Sequence, residues 1–172
     1  MMRATRVGSR FRLWDQSDMG KVTVIGGAGF LGRYLVKRLA QQGTQVRVAV
    51  RDPEAANFLK PMGDVGQVQP IQANIRNEAS ITRAVAGADV VINLAGVMFP
   101  GGAQGFQAVH EDGAETVARA ATSAGVGRLI HVSAIGADAE ANSKYARSKA
   151  AGEAMVRGTY PDAITVRPSY LF

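Results

Sequence analysis

A short β-branched segment, residues 22–25, runs directly into the glycine-dense stretch GGAGFLG at 26–32, and a helix-period pattern follows. Gly26 permits a sharp turn, Gly29 lets backbone N–H groups approach a ligand, and Gly32 lets the helix pack closely on a sheet. Unpaired N–H groups and the positive end of the helix dipole then favour an anion. The segment therefore predicts a cradle for the pyrophosphate of a dinucleotide, although a lone glycine triplet also occurs in ordinary turns.

Size and composition are those of one globular α/β domain: 172 residues, 47% of them apolar, with 20 glycines and no cysteine. The absence of cysteine excludes disulfides, thiolate metal sites and thiol nucleophiles, and two histidines do not favour a histidine-based metal site. The net charge of +6 is spread along the chain without interleaved aromatic residues, so it does not predict a nucleic-acid partner. No apolar run reaches the length of a membrane span.

The first 18 residues are rich in arginine, and no acid precedes Asp15. Such a leader is either a targeting segment or a disordered extension before a natural start at Met19, and we favour the second interpretation. We therefore divide the chain into an extension, 1–18, and a nucleotide-binding domain, 19–172. No secretory hydrophobic core is present, which predicts a cytoplasmic protein.

Strand-like apolar runs alternate with helix-period segments along the chain. We predict strands at 22–26, 45–51, 67–72, 89–94, 128–133 and 163–167. We predict helices at about 30–42, 53–60, 77–87, 104–124 and 142–158. The alternation predicts a parallel sheet covered on both faces, which is a doubly wound Rossmann fold with its ligand across the carboxyl ends of the strands.

The end of the second predicted strand indicates which dinucleotide is preferred. An NAD site places an acid there to accept the ribose hydroxyls, but Val50 occupies that place and Arg51 follows it. A guanidinium suits a 2′-phosphate, and Arg33 lies where it could reach the same group. One charge-assisted hydrogen bond contributes roughly 1.5–3 kcal/mol, so we predict NADP(H) rather than NAD(H). The alternative is that Arg51 merely caps the strand end.

Two further segments are candidates for a site. Small residues at 93–96, after the fourth predicted strand, let a cofactor lie against the backbone, although such turns are common without a ligand. Tyr145 and Lys149 are four residues apart and share a helix face. The ammonium should lower the phenol pKa from about 10, so that Tyr145 exchanges a proton with an alcohol or ketone. The alternative is a solvated surface pair.

Five segments together resemble the short-chain dehydrogenase/reductase superfamily, in its extended or atypical, epimerase/dehydratase-like branch. They are GGAGFLG at 26–32, NLAG at 93–96, HVSA at 131–134, Y-x-x-x-K at 145–149 and RPS at 167–169. Four longer segments are similar to one subgroup, which includes the nucleotide-binding accessory subunit of respiratory complex I and its bacterial relatives. They are 29–39, 61–67, 90–96 and 144–153.

The resemblance implies a set of site residues. Those implied to bind the cofactor are Gly26, Gly29, Phe30, Leu31, Gly32, Arg33, Arg51, Asn74, Ala95, Gly96, Lys149 and Pro168. Those implied to be catalytic are Tyr145, Lys149 and Ser133, with Ala134 in the nearest register for the serine and Ser143 as another candidate. His110 stands where this branch often has an asparagine, and Asn74 stands where it commonly has an aspartate.

The resemblance also implies a function and a location. Members of the subgroup hold an NADPH-type cofactor as a structural ligand, so we predict an NADP(H)-binding protein associated with complex I subunits, peripheral at the inner respiratory membrane. The alternative is an NAD(P)-dependent reductase, dehydrogenase or sugar-nucleotide epimerase that uses Tyr145 and Lys149, and a redox-sensing module is a third hypothesis. Extended members continue beyond the RPS segment into a substrate lobe, which we expect to be absent here, and an exposed edge would favour self-association.

Overall fold

Six parallel strands and four α-helices alternate along the part of the chain that the structure, a computed structural model, describes: residues 20–102 and 105–169. The extension predicted at 1–18 lies outside the described residues. The strands are β1 Lys21–Ile25, β2 Gln45–Val50, β3 Val68–Gln72, β4 Val90–Asn93, β5 Arg128–Val132 and β6 Ile164–Val166. The helices are α1 Phe30–Gln41, α2 Glu78–Val85, α3 Asp112–Ser123 and α4 Lys144–Thr159. None of these helices is both long and apolar enough to cross a membrane.

The strands form one sheet in the order β3-β2-β1-β4-β5-β6. Since β2 and β3 lie on one side of β1 and the later strands lie on the other, the chain reverses direction across the sheet between β1 and β4. In open parallel sheets the ligand lies in the crevice outside the carboxyl ends of the strands at such a switch. The predicted doubly wound fold is confirmed, and every strand boundary lies within one residue of the expected one.

Strand residues alternate between two apolar layers, as a sheet covered on both faces requires. On one face, Val24 is fully buried in a layer with Val36 of α1. On the other face, Val91 is fully buried with Ile81 of α2 and Val117 of α3. These two layers hold the carboxyl ends of the strands at one edge of the molecule.

The helix predicted at 53–60 is wrong in type and position. The structure has a turn and then a 3-10 helix, Asn57–Met62. The Asp52 side chain accepts hydrogen bonds from the backbone N–H groups two and three residues further on, and this competes with helix formation. Pro61 also removes one backbone donor from the segment.

The helix predicted at 104–124 does not begin as a regular α-helix. The structure has a π-helical turn, Gln107–Glu111, and α3 follows directly. A π turn contains one extra residue and is frequent at functional sites. Here the turn carries His110, whose side chain is buried.

Candidate dinucleotide-binding site

Glycines shape the turn between β1 and α1. Gly26 has a φ of +79°, a conformation that other residues rarely adopt, and a Cβ there would lie 3.2 Å from the Ala95 backbone nitrogen. A Cβ on Gly32 would overlap the backbone of Gly27, which agrees with the predicted close packing of the helix. The turn therefore has no room for side chains at these points, and its polar surface is backbone.

The N-terminus of α1 is open to an anion. Its N-cap residue, Gly29, makes no side-chain hydrogen bond, and the first turn of the helix contains no acid. The first N–H groups of a helix lack partners within the helix, and the helix dipole places partial positive charge on them. The turn thus offers donors to a phosphate group without a competing side chain.

A groove of about 630 Å³ lies at the carboxyl ends of the central strands. Six predicted cofactor residues line it: Gly26, Gly29, Arg51, Asn74, Ala95 and Gly96. They come from the four connections that follow β1, β2, β3 and β4, so only the assembled parallel sheet brings them together. The volume lies within the usual range for a small-molecule site.

Other predicted cofactor residues do not line this groove: Phe30, Leu31, Gly32, Arg33, Lys149 and Pro168. Phe30 packs edge-to-face on Tyr34, with ring centroids 5.5 Å apart. The guanidinium of Arg33 lies 6.0 Å from the centroid of the Phe58 ring. Arg33 therefore lies over an aromatic ring and does not contribute to the groove lining.

Two charged residues that the motifs did not indicate line the groove beside Arg51: Asp52 and Arg76. The Asp52 carboxylate accepts two backbone N–H groups of the following turn. Arg76 lies two residues beyond Asn74, whose Oδ1 accepts the Arg76 N–H at 3.1 Å. Both residues closely follow predicted strand ends, and that position was the signal that could have identified them.

Lys149 lies in the interior and reaches the edge of the groove. It is 4% exposed, and its Nζ donates to the Val132 carbonyl at 3.0 Å. A Cβ on Gly96 would lie 4.0 Å from Nζ. Burial lowers the pKa of Lys149 to about 8, although the Glu153 carboxylate one turn along α4 acts in the opposite direction.

The pKa of Tyr145 shifts in the direction opposite to the one that the sequence predicted. Burial raises the pKa of its hydroxyl, whereas the spacing to Lys149 predicted a lowered value. The ring packs edge-to-face with Phe106 and His110, at centroid distances of 5.9 and 5.5 Å. Tyr145 is half-buried, and this partial withdrawal of the phenol from water disfavours the phenolate.

His110 connects the groove to α4. Its Nε2 accepts the Val97 N–H at 3.0 Å, and Val97 lines the groove. That bond leaves the ring proton on Nδ1, which donates to Ser148 Oγ at 2.9 Å. Ser148 Oγ then donates to the Tyr145 carbonyl at 2.8 Å. Burial and the Lys149 charge lower the pKa of His110 to about 4, so the ring is neutral, as these bonds require.

The predicted catalytic serine, Ser133, lies in the interior beside Glu153. It is 5% exposed, and its hydroxyl has no well-formed hydrogen bond with the described residues. Burial opposes ionisation of Glu153, but its pKa is lowered overall by a hydrogen bond from Arg167, the nearby Ser133 hydroxyl and the charge of Arg157. Ser133 therefore belongs to a polar cluster formed around the buried Glu153 carboxylate.

Residues 26–172 match a protein family described as NAD(P)H-binding. The chain is 42% identical over 150 residues to the mitochondrial NADH-ubiquinone oxidoreductase 40 kDa subunit of Neurospora crassa, covering 87% of this chain and 40% of that protein. It is 38% identical over 153 residues to a ceramide reductase of Caulobacter vibrioides, covering 89% of this chain and 47% of that protein. The chain thus spans less than half the length of these relatives.

The fold is also similar to that of a Bacillus halodurans protein provisionally described as an NAD-dependent epimerase/dehydratase. The TM-score is 0.77 at 26% identity, covering 89% of this chain and 72% of that chain. These likenesses confirm the predicted resemblance to the epimerase/dehydratase-like branch and to the complex I subgroup.

Proposed function

Because the chain belongs to the NAD(P)H-binding family, we propose that it holds NADP(H) in the groove at the carboxyl ends of the strands, with the cofactor as a structural ligand. The observation that carries this proposal is the composition of the groove. A backbone cradle at α1 and two arginines, Arg51 and Arg76, line one cavity of about 630 Å³.

The residues of the groove suit such a cofactor. The cradle offers backbone N–H groups to a pyrophosphate, and Ala95 and Gly96 let a ribose lie against the backbone. The Nδ2 group of Asn74 remains a donor toward adenine, since its Oδ1 accepts a backbone N–H. The bound nicotinamide would supply the capacity to give or take a hydride.

The preference for a 2′-phosphate rests on charge at the end of β2. Arg51 and Arg76 both line the groove there. The nearby acid, Asp52, already accepts two backbone N–H groups, so it is engaged in its own turn. Guanidinium groups bind phosphate with paired donors, and this favours NADP(H) over NAD(H).

The surroundings of Tyr145 and Lys149 support a structural role for the cofactor. Burial raises the pKa of Tyr145, and Lys149 donates to the Val132 carbonyl. A relative of 42% identity is named as a subunit of NADH-ubiquinone oxidoreductase. The proposal therefore extends to association with respiratory-complex subunits, peripheral at the membrane on its cytoplasmic side.

Calorimetric titration with NADPH and NADH tests the cofactor assignment. The wild type should bind NADPH at least about tenfold more tightly than NADH. Arg51→Gln should lower that preference and leave NADH affinity unchanged. Arg38→Gln, an exposed α1 arginine outside the groove lining, is the matched control and should keep the preference.

Two other results of the same titration are decisive. Equal affinities for the two cofactors in the wild type would refute the NADP assignment. Gly32→Ala should weaken both cofactors alike, because its Cβ overlaps the Gly27 backbone and must move the cradle. Undiminished binding by this variant would contradict the location of the pyrophosphate.

A second candidate function is an NADP(H)-dependent reductase that uses Tyr145 and Lys149. The position of Lys149 near Gly96, at the edge of the groove, favours this activity, and a relative of 38% identity is named a ceramide reductase. In such a reaction the carbonyl carbon of the substrate would take the hydride that bound NADPH supplies, and the Tyr145 hydroxyl would give its proton to the carbonyl oxygen. The Lys149 ammonium then stabilises the phenolate that remains.

Turnover with a panel of ketones and sugar nucleotides, followed by NADPH absorbance, distinguishes the two functions. If the protein is a reductase, Tyr145→Phe should slow turnover by about 10²–10⁴-fold without changing NADPH affinity. Tyr34→Phe, on the exposed side of α1, should have no effect. Cofactor that remains bound through purification, with no turnover on any substrate, would support the structural role.

A further inference from the structure

A second cavity, of about 330 Å³, adjoins the cofactor groove near the end of β3. Arg51 and Asn74 line both cavities, whereas Gln72, Asn77 and Arg83 line only the second one. Arg83 comes from α2, an element that contributes nothing to the groove. The second cavity therefore adds a distinct cation to the region around Arg51.

The lining of this second cavity has positive charge and no carboxylate. Within the described ranges, neither the Arg51 nor the Arg83 side chain makes an ion pair or a hydrogen bond with the protein. The neighbouring Arg47, by contrast, donates to the carbonyls of Ala84 and Ala86. Two arginines thus line one cavity whose lining contains no carboxylate.

The two asparagine carboxamides in the cavity are arranged as donors. Asn77 Oδ1 accepts the Ser80 N–H at 2.9 Å, and Asn74 Oδ1 accepts the Arg76 N–H at 3.1 Å. Both amide oxygens are therefore engaged in local turns, and the two Nδ2 groups remain as donors. Guanidinium and amide N–H groups together suit a dianion with several acceptor oxygens.

We propose that this cavity is a phosphomonoester subsite in which Arg83 of α2 acts together with Arg51. The phosphate comes from the 2′-phosphate of NADP(H) in the adjoining groove, or from a free phosphate of the same chemistry. The volume is several times the ~30 Å³ of one water, so it holds a phosphate group with solvent. Binding of the NADP(H) 2′-phosphate rests on the proposed function, whereas binding of a free phosphate does not.

Calorimetric titrations of wild type, Arg83→Gln and Arg83→Lys test the subsite, with Arg38→Gln as the matched control. The titrants are NADP⁺, NAD⁺, adenosine 2′-monophosphate and inorganic phosphate. If the subsite holds the 2′-phosphate, Arg83→Gln weakens NADP⁺ and adenosine 2′-monophosphate about tenfold or more. NAD⁺ affinity stays unchanged, and Arg83→Lys keeps part of the affinity because it keeps the charge.

The free-phosphate source has a different signature. In that case Arg83→Gln abolishes the binding of inorganic phosphate and leaves both dinucleotides unaffected. The proposal is overturned if Arg83→Gln changes no titration, or if it weakens NAD⁺ and NADP⁺ equally. A wild type that binds neither dinucleotide would refute the proposed function, and the inorganic phosphate titration would still decide the subsite.

Discussion

The two ring nitrogens of His110 have partners of opposite kinds. Nε2 accepts the Val97 N–H, and Nδ1 donates to Ser148 Oγ. A second proton would have to sit on Nε2, facing the Val97 donor, in a buried position near the Lys149 charge. The fold therefore holds the ring neutral, with its pKa lowered to about 4 by burial first and by Lys149 second.

We expect the free energy of unfolding to fall as the pH is lowered from about 6.5 to about 4. The unfolded chain takes up the proton first, because the folded pKa is the lower of the two, so stability is present above this window and lost within it. Each such histidine contributes about 1.4 kcal/mol per pH unit. The pKa of His131 is also lowered to about 4, chiefly by burial, so both histidines contribute.

Urea unfolding of His110→Asn at about pH 7 and pH 5 measures how much His110 contributes to the pH dependence of the free energy of unfolding. Asparagine keeps a donor and an acceptor but does not titrate, so the pH dependence should lose the contribution of one histidine. His131 and, toward the lower pH, the Glu153 carboxylate with its lowered pKa should account for the part that remains. If the variant and the wild type lose equal stability, His110 is not neutral in the fold.

At the scale of elements, the approach of α4 to the π turn depends on one glycine. A Cβ on Gly152 would overlap the carbonyl oxygen of His110. The same helix carries Tyr145 and Lys149, so this contact sets how near both residues lie to the groove. A π turn shifts the carbonyls of the segment relative to a regular helix, and Gly152 accommodates that shift.

We expect Gly152→Ala to destabilise the fold by about 1–3 kcal/mol, since backbone atoms have to move. Gly158→Ala, in the same helix, is the matched control. A Cβ on Gly158 meets no atom within 4 Å, so alanine should leave stability unchanged or raise it by up to about 1 kcal/mol. Thermal unfolding measures the stability of both variants. Equal changes in stability would show that the close approach of Gly152 to the His110 carbonyl does not exclude a Cβ at position 152.

At the scale of the whole molecule, one buried carboxylate ties the β6 edge of the sheet to α4. Glu153 is 1% exposed and accepts two hydrogen bonds from Arg167, at 2.8 and 2.7 Å, and one from Arg157 at 2.8 Å. Three buried polar atoms in this region have no well-formed hydrogen bond within the described residues. They are His131 Nε2, Ser133 Oγ and Thr165 Oγ1.

Glu153→Gln should cost about 2–4 kcal/mol of stability, because it removes the charge that pairs with both arginines. Hydrogen exchange should quicken at the Ser133 and Ile135 amides, which donate to the Val166 and Pro168 carbonyls beside β6. Arg157→Gln is the control and should cost less than about 1 kcal/mol, since that arginine is half-exposed. Equal losses in the two variants would contradict the role of Glu153 as an anchor.

Several features were predictable because their signals are local in the chain. Apolar β-branched runs placed each strand within one residue, and Gly26 adopts the left-handed conformation expected of a tight turn. The helix predicted at 53–60 was wrong because the turn chemistry of Asp52 is stronger than the apolar period around it. The π turn at His110 was not predicted; its backbone packs closely against Gly152 of another helix, a contact that the local sequence does not show.

By itself, the sequence determined the alternation of strands and helices, the glycine turn at 26–32 and the arginine at the end of β2, because each depends on residues adjacent in the chain. Only the tertiary structure decided that the pKa of Tyr145 is raised, that Ser133 lies beside Glu153, and that Arg83 shares a cavity with Arg51. Burial and electrostatic interaction depend on distances in space, and these residues meet only once the parallel strands have assembled.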